Sequence, residues 1–245
     1  MTNKLSYDFT IPVLNEEKRL PAGLPQLCRH LTAIGLENFT ITIADNGSTD
    51  RTEDVARDLM RAYPQTRYRK VGRRGVGLAL KASWGQSAAD VIGYLDVDLA
   101  TDIKHLAEVV ALFETGGAQI VNGSRNLPQS VVVNRSAVRN VTSHSFNFLL
   151  RRMLGVHFTD GMCGFKFLRR DLYDRLAQIG LTNDGWFFCT ELLFVAEKAG
   201  LAIRELPVHW TDDRDSRVRL VRLSAAYMKE ILKLRRRKIP ALTDL

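Results

Sequence analysis

The sequence is poor in cysteine and has no long apolar run, and these two shortages exclude several classes of protein. Cys28, Cys163 and Cys189 are its only cysteines among 245 residues. Three widely separated cysteines match no zinc-ligand spacing and form no disulfide framework, which is typical of a reducing compartment. No uncharged apolar stretch reaches the roughly 18 residues that a membrane-spanning helix needs. The first residues lack the apolar core of a signal peptide, so we expect a cytoplasmic protein.

Acidic residues are missing from one long segment of the chain. No Asp or Glu occurs at 115–159, where the basic residues are Arg125, Arg135, Arg139, Arg151 and Arg152. A second segment, 214–238, holds ten Lys or Arg residues and two acids, an excess equal to the formal net charge of +8 of the whole chain. Basic surface of this kind indicates polyanionic partners such as phosphates, nucleic acid or an anionic membrane.

Strand and helix signals alternate through the first half of the chain. Apolar and β-branched runs predict strands at 7–13, 39–44 and 91–95, with a helix pattern after each of them. This alternation predicts an α/β fold with a mostly parallel sheet covered by helices on both faces. Because the carboxyl ends of parallel strands meet at one edge, we expect the loops after these strands to converge on a ligand site.

Asp96 and Asp98 stand two residues apart at the end of the third of these strands. Side chains at this spacing point to the same side of a sheet. Both can then reach one hard cation, and Mg²⁺ or Mn²⁺ held in this way usually keeps positions free for substrate phosphates. The alternative is that Asp98 merely opens the next helix, where Asp is favoured.

Two amphipathic helices are predicted in the second half, each with an apolar stripe that fits either the core or a membrane interface. The stripe of the first helix is Phe146, Leu149, Leu150 and Met153, and that of the second is Leu220, Leu223, Tyr227, Ile231 and Leu234. The basic run at 235–238 favours the membrane interface for the second helix, because each basic residue gains about 1 kcal/mol near anionic lipid.

Several motifs, in order, carry a resemblance to a known family. They are Pro12-Val13-Leu14-Asn15-Glu16, Asp45-Asn46-Gly47-Ser48-Thr49-Asp50, Asp96-Val97-Asp98, Gly123-Ser124-Arg125, Arg139 with Ser143, Cys163-Gly164-Phe165-Lys166, Trp186 with Glu191, and Pro207-Val208-His209-Trp210 followed by Ser216-Arg217. The first three resemble the motifs of family 2 glycosyltransferases with the GT-A fold. The later ones are similar to those of the polyprenyl-phosphate sugar synthases.

The resemblance implies both an architecture and a reaction. It implies a GT-A, Rossmann-like domain over 1–211 and a basic helical segment over 212–245 at a membrane interface. The implied reaction is metal-dependent, inverting transfer of a sugar from a nucleotide sugar to a polyprenyl or dolichyl phosphate. Ala100 and Thr101 resemble the glucose-synthase variant, which favours UDP-glucose as the donor.

The resemblance also implies roles for individual residues. The nucleotide sugar is expected to contact Pro12, Asn15, Glu16, Asp45, Asp96, Lys166 and Arg217. Asp96 and Asp98 are expected to hold Mg²⁺ or Mn²⁺. Arg125, Arg139 and Ser143 match positions that bind the acceptor phosphate, and Asp98, Arg125 and Arg139 are the expected catalytic residues. Cys189 stands where relatives often have Asp, which leaves the role of Glu191 open.

Two other functions stay open at this stage. One is a family 2 glycosyltransferase with a soluble or glycan acceptor, and the other is a non-catalytic basic module that binds nucleic acid or a membrane. Intact metal and nucleotide motifs argue against the module, and no signature of the common RNA-binding modules occurs, so nucleic acid is not expected as a partner. The expected partners are the donor, the polyprenyl phosphate, the anionic cytosolic face of a membrane, and a membrane protein in place of spanning helices.

Overall fold

The computed structural model of the chain describes residues 4–212 and 220–242. Their strands are β1 (Tyr7–Val13), β2 (Phe39–Asp45), β3 (Thr66–Lys70), β4 (Val91–Leu95), β5 (Ile120–Ser124), β6 (Val131–Val133), β7 (Phe165–Arg169), β8 (Arg204–Pro207) and β9 (His209–Thr211). Their helices are α1 (Leu20–Ala33), α2 (Thr52–Ala62), α3 (Val76–Trp84), α4 (His105–Glu114), α5 (Ala137–Leu154), α6 (Arg170–Gly180), α7 (Phe188–Lys198) and α8 (Leu220–Arg236).

Seven of these strands form one sheet in the order β3-β2-β1-β4-β7-β5-β8. The first four are parallel to one another, and β7 runs antiparallel between β4 and β5. β6 and β9 pair in a separate two-stranded sheet. The predicted α/β fold with a mostly parallel sheet between helices is confirmed.

β4 lies in the middle of this sheet, and its sequence fits that position. All five of its residues are buried, as expected of a strand with helices on both faces. Gly93 is required here, because a Cβ at that position would overlap the ring of Phe167 on β7. Two large apolar clusters cover the two faces of the sheet, one around Phe9 and the other around Trp84. β4 therefore presents its carboxyl end from a rigid support.

The loops after β1, β2 and β4 meet at one edge of the sheet, as predicted. β1 pairs in parallel with both β2 and β4, and Val13 at its end is in register with Asp45. α1 begins just after the first loop and packs against the third. The contact is so close that a Cβ on its Gly23 would overlap the carbonyl oxygen of Val97. Three polar loops are thus held side by side.

Both predicted amphipathic stripes pack on the protein core. The rings of Phe146 on α5 and Tyr227 on α8 pack in a tilted arrangement with centroids 5.6 Å apart, and Ile231 and Leu234 are buried. The membrane interface predicted for the second stripe is therefore wrong at Tyr227, Ile231 and Leu234, because the core already covers these side chains. The side chains of Leu220 and Leu223 lie outside the described residues. Within the described ranges, no helix is both long and apolar enough to cross a membrane.

Candidate active site

The two carboxylates that follow β4 lie at the carboxyl edge of the sheet. Asp96 is partly buried and Asp98 is exposed. The carboxylate of Asp96 packs against Gly164, where a Cβ would overlap its oxygens, so only glycine fits there. Burial, followed by the negative charge of Asp98, raises the pKa of Asp96 to about 7, and the charge of Glu16 adds to the rise. The surroundings therefore oppose a second negative charge unless a cation balances it.

This pair of carboxylates fits a divalent cation such as Mg²⁺ or Mn²⁺. Both residues supply oxygen atoms, the ligands that these cations prefer, and Mg²⁺ usually completes its shell with waters and substrate phosphates. Among the residues that the structure describes, no group of three or more Asp, Glu, His or Cys side chains is placed to hold a metal. The site is suited to a cation shared with a phosphate-bearing substrate.

The loops after β1 and β2 are fastened to each other by hydrogen bonds. The backbone N–H of Asn15 donates to Ser48 Oγ (2.9 Å), and Asn15 Oδ1 accepts from the backbone N–H of Thr49 (2.8 Å). The backbone N–H of Glu16 donates to Thr52 Oγ1 (2.8 Å). Asn15 adopts a φ of 57°, a left-handed conformation that Asn tolerates better than most residues. Asn15 and Glu16 are thereby held against the second loop.

Asp45 ends β2 as a buried carboxylate with two partners. Its Oδ1 accepts from the backbone N–H of Ser48 (2.7 Å) and its Oδ2 accepts from the hydroxyl of Tyr68 (2.7 Å). A carboxylate offers about four acceptor positions, so these bonds fix its orientation and leave capacity for a ligand. Pro12 lies on the neighbouring strand, in register with Ala44. Both predicted donor-binding residues therefore lie at the same edge of the sheet as the Asp96–Asp98 pair.

Arg125, predicted to bind the acceptor phosphate, forms a buried ion pair with Asp160. Its Nε and Nη2 donate to the two carboxylate oxygens at 2.7 and 3.0 Å. Burial alone raises the pKa of an acid, but the charge and hydrogen bonds of Arg125 hold the pKa of Asp160 at about 2. Asp160 is the first acid after the acid-free segment, and no motif marked it as a site residue.

Arg139, the second predicted phosphate ligand, lies on α5 and pairs with Asp212. Its Nη1 donates to both carboxylate oxygens, at 2.7 and 2.8 Å. Ser143 follows one turn later and is partly buried, and its carbonyl oxygen accepts from the side chain of Asn147. The two predicted arginines are thus both bound to carboxylates. A phosphate would have to bind to the arginines beside these carboxylates or replace them as partners.

Lys166 is buried close enough to Asp96 for its charge to act on that carboxylate. Only 1% of the residue is exposed, and its Nζ donates to the carbonyl oxygen of Cys163 at 2.5 Å. Lys166 pairs with Tyr94 across β4 and β7, and its charge acts on Asp96. Its charge lowers the pKa of Asp96, and its contact with a substrate phosphate stays a prediction. Arg217, the remaining predicted phosphate contact, lies outside the described residues.

Trp210 and Arg135 complete this region, and neither was among the predicted site residues. The guanidinium carbons of Arg125 and Arg135 both lie 5.3 Å from the centre of the Trp210 ring. Trp210 belongs to the last motif quoted above, and Arg135 is one of the bases in the acid-free segment, so the signals were present. Only the fold shows that these residues meet.

Glu191, whose role the sequence left open, fastens a loop and the end of α8. Its Oε2 accepts from the backbone N–H of Asn183 (2.8 Å), and its Oε1 accepts from Thr182 Oγ1 (2.9 Å) and Arg237 Nη1 (3.1 Å). Arg237 also donates to the carbonyl oxygen of Ile179 (2.7 Å). One base of the run at 235–238 therefore serves the fold, although the sequence assigned the whole run to a membrane.

The chain matches the model of the family described as glycosyl transferase family 2 over residues 8–177. Glycosyltransferase AglD of Haloferax volcanii is 34% identical over 214 residues, which cover 86% of this chain but only 34% of AglD. The dolichyl-phosphate beta-glucosyltransferase of Mus musculus is 30% identical over 230 residues, covering 89% of this chain and 70% of that protein.

Solved structures support the fold assignment. The glucosyl-3-phosphoglycerate synthase of Mycobacterium tuberculosis in complex with uridine diphosphate superposes with a TM-score of 0.68 and 22% identity, covering 97% of this chain and 82% of the other. The same enzyme with Mn²⁺ and UDP-glucose gives a TM-score of 0.68, 20% identity, and coverage of 95% and 79%. At this level of identity the likeness concerns the fold alone.

Proposed function

Because this chain belongs to glycosyl transferase family 2, we propose that it transfers a sugar from a nucleotide sugar to dolichyl phosphate or another polyprenyl phosphate. Glucose from UDP-glucose is the proposed donor. Two observations support this choice: the similar mouse protein is a dolichyl-phosphate beta-glucosyltransferase, and Ala100 and Thr101 resemble the glucose-synthase variant. The reaction is assigned to the edge where the loops after β1, β2 and β4 meet.

The observation that favours a lipid acceptor is an exposed apolar surface beside the basic residues of the site. On α5, Val138, Val141 and Phe148 are 70%, 65% and 62% exposed. On β6, Val131 and Val133 are 42% and 44% exposed. Exposed apolar residues that fall this close together, within 131–148 of the chain, are typical of an interaction surface. We call these five residues the β6–α5 apolar surface, and we assign it to the hydrocarbon chain of the acceptor and the adjacent lipid.

The donor is assigned to the opposite side of the site. Asp96 and Asp98 would hold Mg²⁺ or Mn²⁺, and the cation would supply positive charge to stabilise a departing diphosphate. The walls of the nucleotide site would be the fastened first and second loops, with Pro12, Asn15, Glu16 and Asp45 at their strand ends. The buried Lys166 would keep the charge of Asp96 balanced.

The acceptor phosphate needs no general base from the protein. The second pKa of a phosphate monoester is near 6, so its attacking oxygen is largely ionised at pH 7. A hydroxyl acceptor would instead need a positioned base, a contribution of about 10²–10⁴-fold. The task of Arg125, Arg139 and Ser143 would be to hold one anion close to another, and their partners Asp160 and Asp212 would keep the two guanidiniums oriented.

We assign the chain to the cytosolic surface of a membrane, with a transferase domain at 1–211 and a basic helical segment at 212–245. Arg235, Arg236 and Lys238 are exposed at the end of α8, next to the Arg237 that serves the fold. Exposed bases of this kind gain about 1 kcal/mol each near anionic lipid, so they would help to hold the protein at the surface. A membrane-protein partner remains a second means of attachment.

A screen of donors against acceptors tests this proposal. UDP- and GDP-sugars, each labelled in the sugar, are offered with a polyprenyl phosphate or with 3-phosphoglycerate, the acceptor named for the mycobacterial synthase. We expect label in the lipid from UDP-glucose and none in phosphoglycerate. Transfer to phosphoglycerate alone would replace the lipid acceptor with a soluble one.

A further inference from the structure

Arg135 lies between β6 and α5, at the junction of the basic site and the β6–α5 apolar surface. It is partly buried, and its Nε has no hydrogen-bond partner among the described residues. Its guanidinium carbon lies 5.3 Å from the centre of the Trp210 ring, a cation–π distance that fixes the side chain without neutralising it. Arg135 is therefore oriented, but its hydrogen-bonding groups are not used by the protein.

The charges around Arg135 do not balance. Arg125 is bound to Asp160 and Arg139 to Asp212, whereas no described carboxylate lies within ion-pair distance of Arg135. Among the described residues, Arg135 is thus the one guanidinium of the three that forms no ion pair with a carboxylate. Burial, followed by the positive charge of Arg125, lowers the pKa of Arg135, as expected of a cation without a counter-ion. An anion bound to Arg135 would offset both the burial of its charge and the repulsion from Arg125.

The fold connects the strand that holds this cation to the loop that carries the Asp96–Asp98 pair. The backbone N–H of Thr211, next to Trp210, donates to the carbonyl oxygen of Ala100 (2.8 Å), and Trp210 itself forms a bridge with Thr101. Ala100 follows Asp98 by two residues, so the strand that carries Trp210 is bonded to the loop that carries the carboxylates. A phosphate on Arg135 would have the donor site on one side and apolar residues on the other.

We propose that Arg135, held by Trp210, binds the phosphate of the acceptor lipid, and that the β6–α5 apolar surface takes up the hydrocarbon next to that phosphate. This inference rests on the proposed function and deepens it by naming a binding residue that the family motifs did not indicate. Arg125 and Arg139 would then act beside Arg135, each with its own carboxylate. A planar guanidinium suits this task, since it donates two parallel hydrogen bonds to phosphate oxygens.

Binding of geranyl phosphate, a short acceptor that needs no membrane, tests this inference. Titration calorimetry with UDP and Mg²⁺ present would compare the wild type with Arg135→Gln and Arg135→Lys. We expect Arg135→Gln to weaken binding by about 10- to 100-fold, the effect of losing a hydrogen bond to a charged group. Arg135→Lys should be intermediate, because it keeps the charge and loses the planar fork. The KM for the acceptor should rise in the same order while the KM for the donor stays unchanged.

Arg152→Gln is the matched control, because it removes an exposed arginine from α5, the helix that follows Arg135. It should leave geranyl phosphate binding at the wild-type level. Geraniol, which lacks the phosphate, should bind equally to the wild type and to Arg135→Gln. Inorganic phosphate and anionic vesicles are two further probes, and they distinguish the acceptor from a free anion or a lipid headgroup.

Unchanged geranyl phosphate binding in Arg135→Gln would overturn the inference. If Arg135→Gln lost vesicle binding but bound geranyl phosphate normally, the inference would be overturned in favour of a contact with lipid headgroups. If the variant lost binding of inorganic phosphate alone, the inference would be overturned in favour of a general anion site. If the wild type transfers sugar only to a soluble acceptor, the proposed function itself fails. These two failures can be told apart, because the inference about Arg135 can fail even when the wild type transfers sugar to the lipid.

Discussion

The ionised side chain of Asp96 lowers the free energy of unfolding of the chain. Its pKa of about 7 lies above the ordinary value of 3.8, so between these values the folded chain keeps a proton that the unfolded chain loses. Stability therefore falls as the pH rises from about 4 to 7, and the loss stays constant above that range. A divalent cation bound to Asp96 would offset this loss of stability, because its positive charge favours the ionised carboxylate.

Asp96→Asn should therefore stabilise the protein in chelator while abolishing transfer. The gain in Tm should be absent near pH 4, grow towards pH 7 and then level off, at about 2–4 °C for each kcal/mol relieved in a chain of this size. Thermal unfolding in EDTA across this range measures it. Asp98→Asn, at the exposed position, is the control and should give a smaller gain. A wild-type Tm profile identical to that of Asp96→Asn would show that Asp96 is not strained.

The pair Arg125–Asp160 is the most buried ion pair of the site, and removal of one partner should be severe. The side chain of Asp160 is 0% exposed and that of Arg125 is 10% exposed. Asp160→Asn should lower the free energy of unfolding by about 3–5 kcal/mol, because it leaves a charge buried without its partner. Denaturant unfolding measures this loss. Asp212→Asn, in the more exposed pair with Arg139, should cost less, and equal losses would contradict the account.

At the scale of the element, α5 has one buried face and one exposed apolar face, and the proposed function gives them different roles. Its inner face carries the buried Leu150, and its outer face carries Val141 and Phe148. The double variant Val141→Ser/Phe148→Ser should reduce binding to anionic vesicles while leaving Tm nearly unchanged. Leu150→Ala should do the reverse, with a loss of about 2–5 kcal/mol in stability. Vesicle sedimentation and thermal unfolding of both variants check this, and a shared pattern would remove the distinction between the faces.

The basic run at the end of α8 also combines a structural residue, Arg237, with exposed residues that the proposed function assigns to the membrane. Arg237→Gln should lower Tm, because Glu191 and a carbonyl of α6 lose their partner, and Glu191→Gln should lower it similarly. The triple variant Arg235→Gln/Arg236→Gln/Lys238→Gln should keep its Tm and bind anionic vesicles less. The difference between wild type and triple variant should shrink as salt rises, because the Debye length falls from about 10 Å at 0.1 M to about 3 Å at 1 M. A fall in Tm for the triple variant would assign the whole run to the fold.

At the scale of the molecule, the sequence predicted the periodic and local features well. The strand that precedes Asp96 and the convergence of three loops followed from apolar runs and from the behaviour of parallel sheets. Contacts between distant segments were not predictable in this way. The pairing of Arg125 with Asp160, and the meeting of Arg135 with Trp210, depend on how separate segments are brought together, and no local pattern encodes that.

The stripe on α8 shows a second limit of sequence reasoning. An amphipathic pattern states that one face of a helix is apolar, but not what covers that face. The basic run nearby favoured a membrane, whereas Phe146 and Phe187 supply aromatic partners for Tyr227 within the protein. Five of the exposed apolar residues lie on β6 and on the outer face of α5, where the sequence pattern is weak because valines and a phenylalanine are interspersed with polar residues.

The most direct measurement of the central claim is the transfer of labelled glucose from UDP-glucose into the organic phase in the presence of a polyprenyl phosphate. Wild-type protein should produce a lipid-linked sugar, EDTA should abolish it, and added Mg²⁺ or Mn²⁺ should restore it. Asp98→Ala should fold normally and give no product under any of these conditions. Transfer that persists in Asp98→Ala with EDTA present, or a wild type that never labels the lipid, would contradict the account.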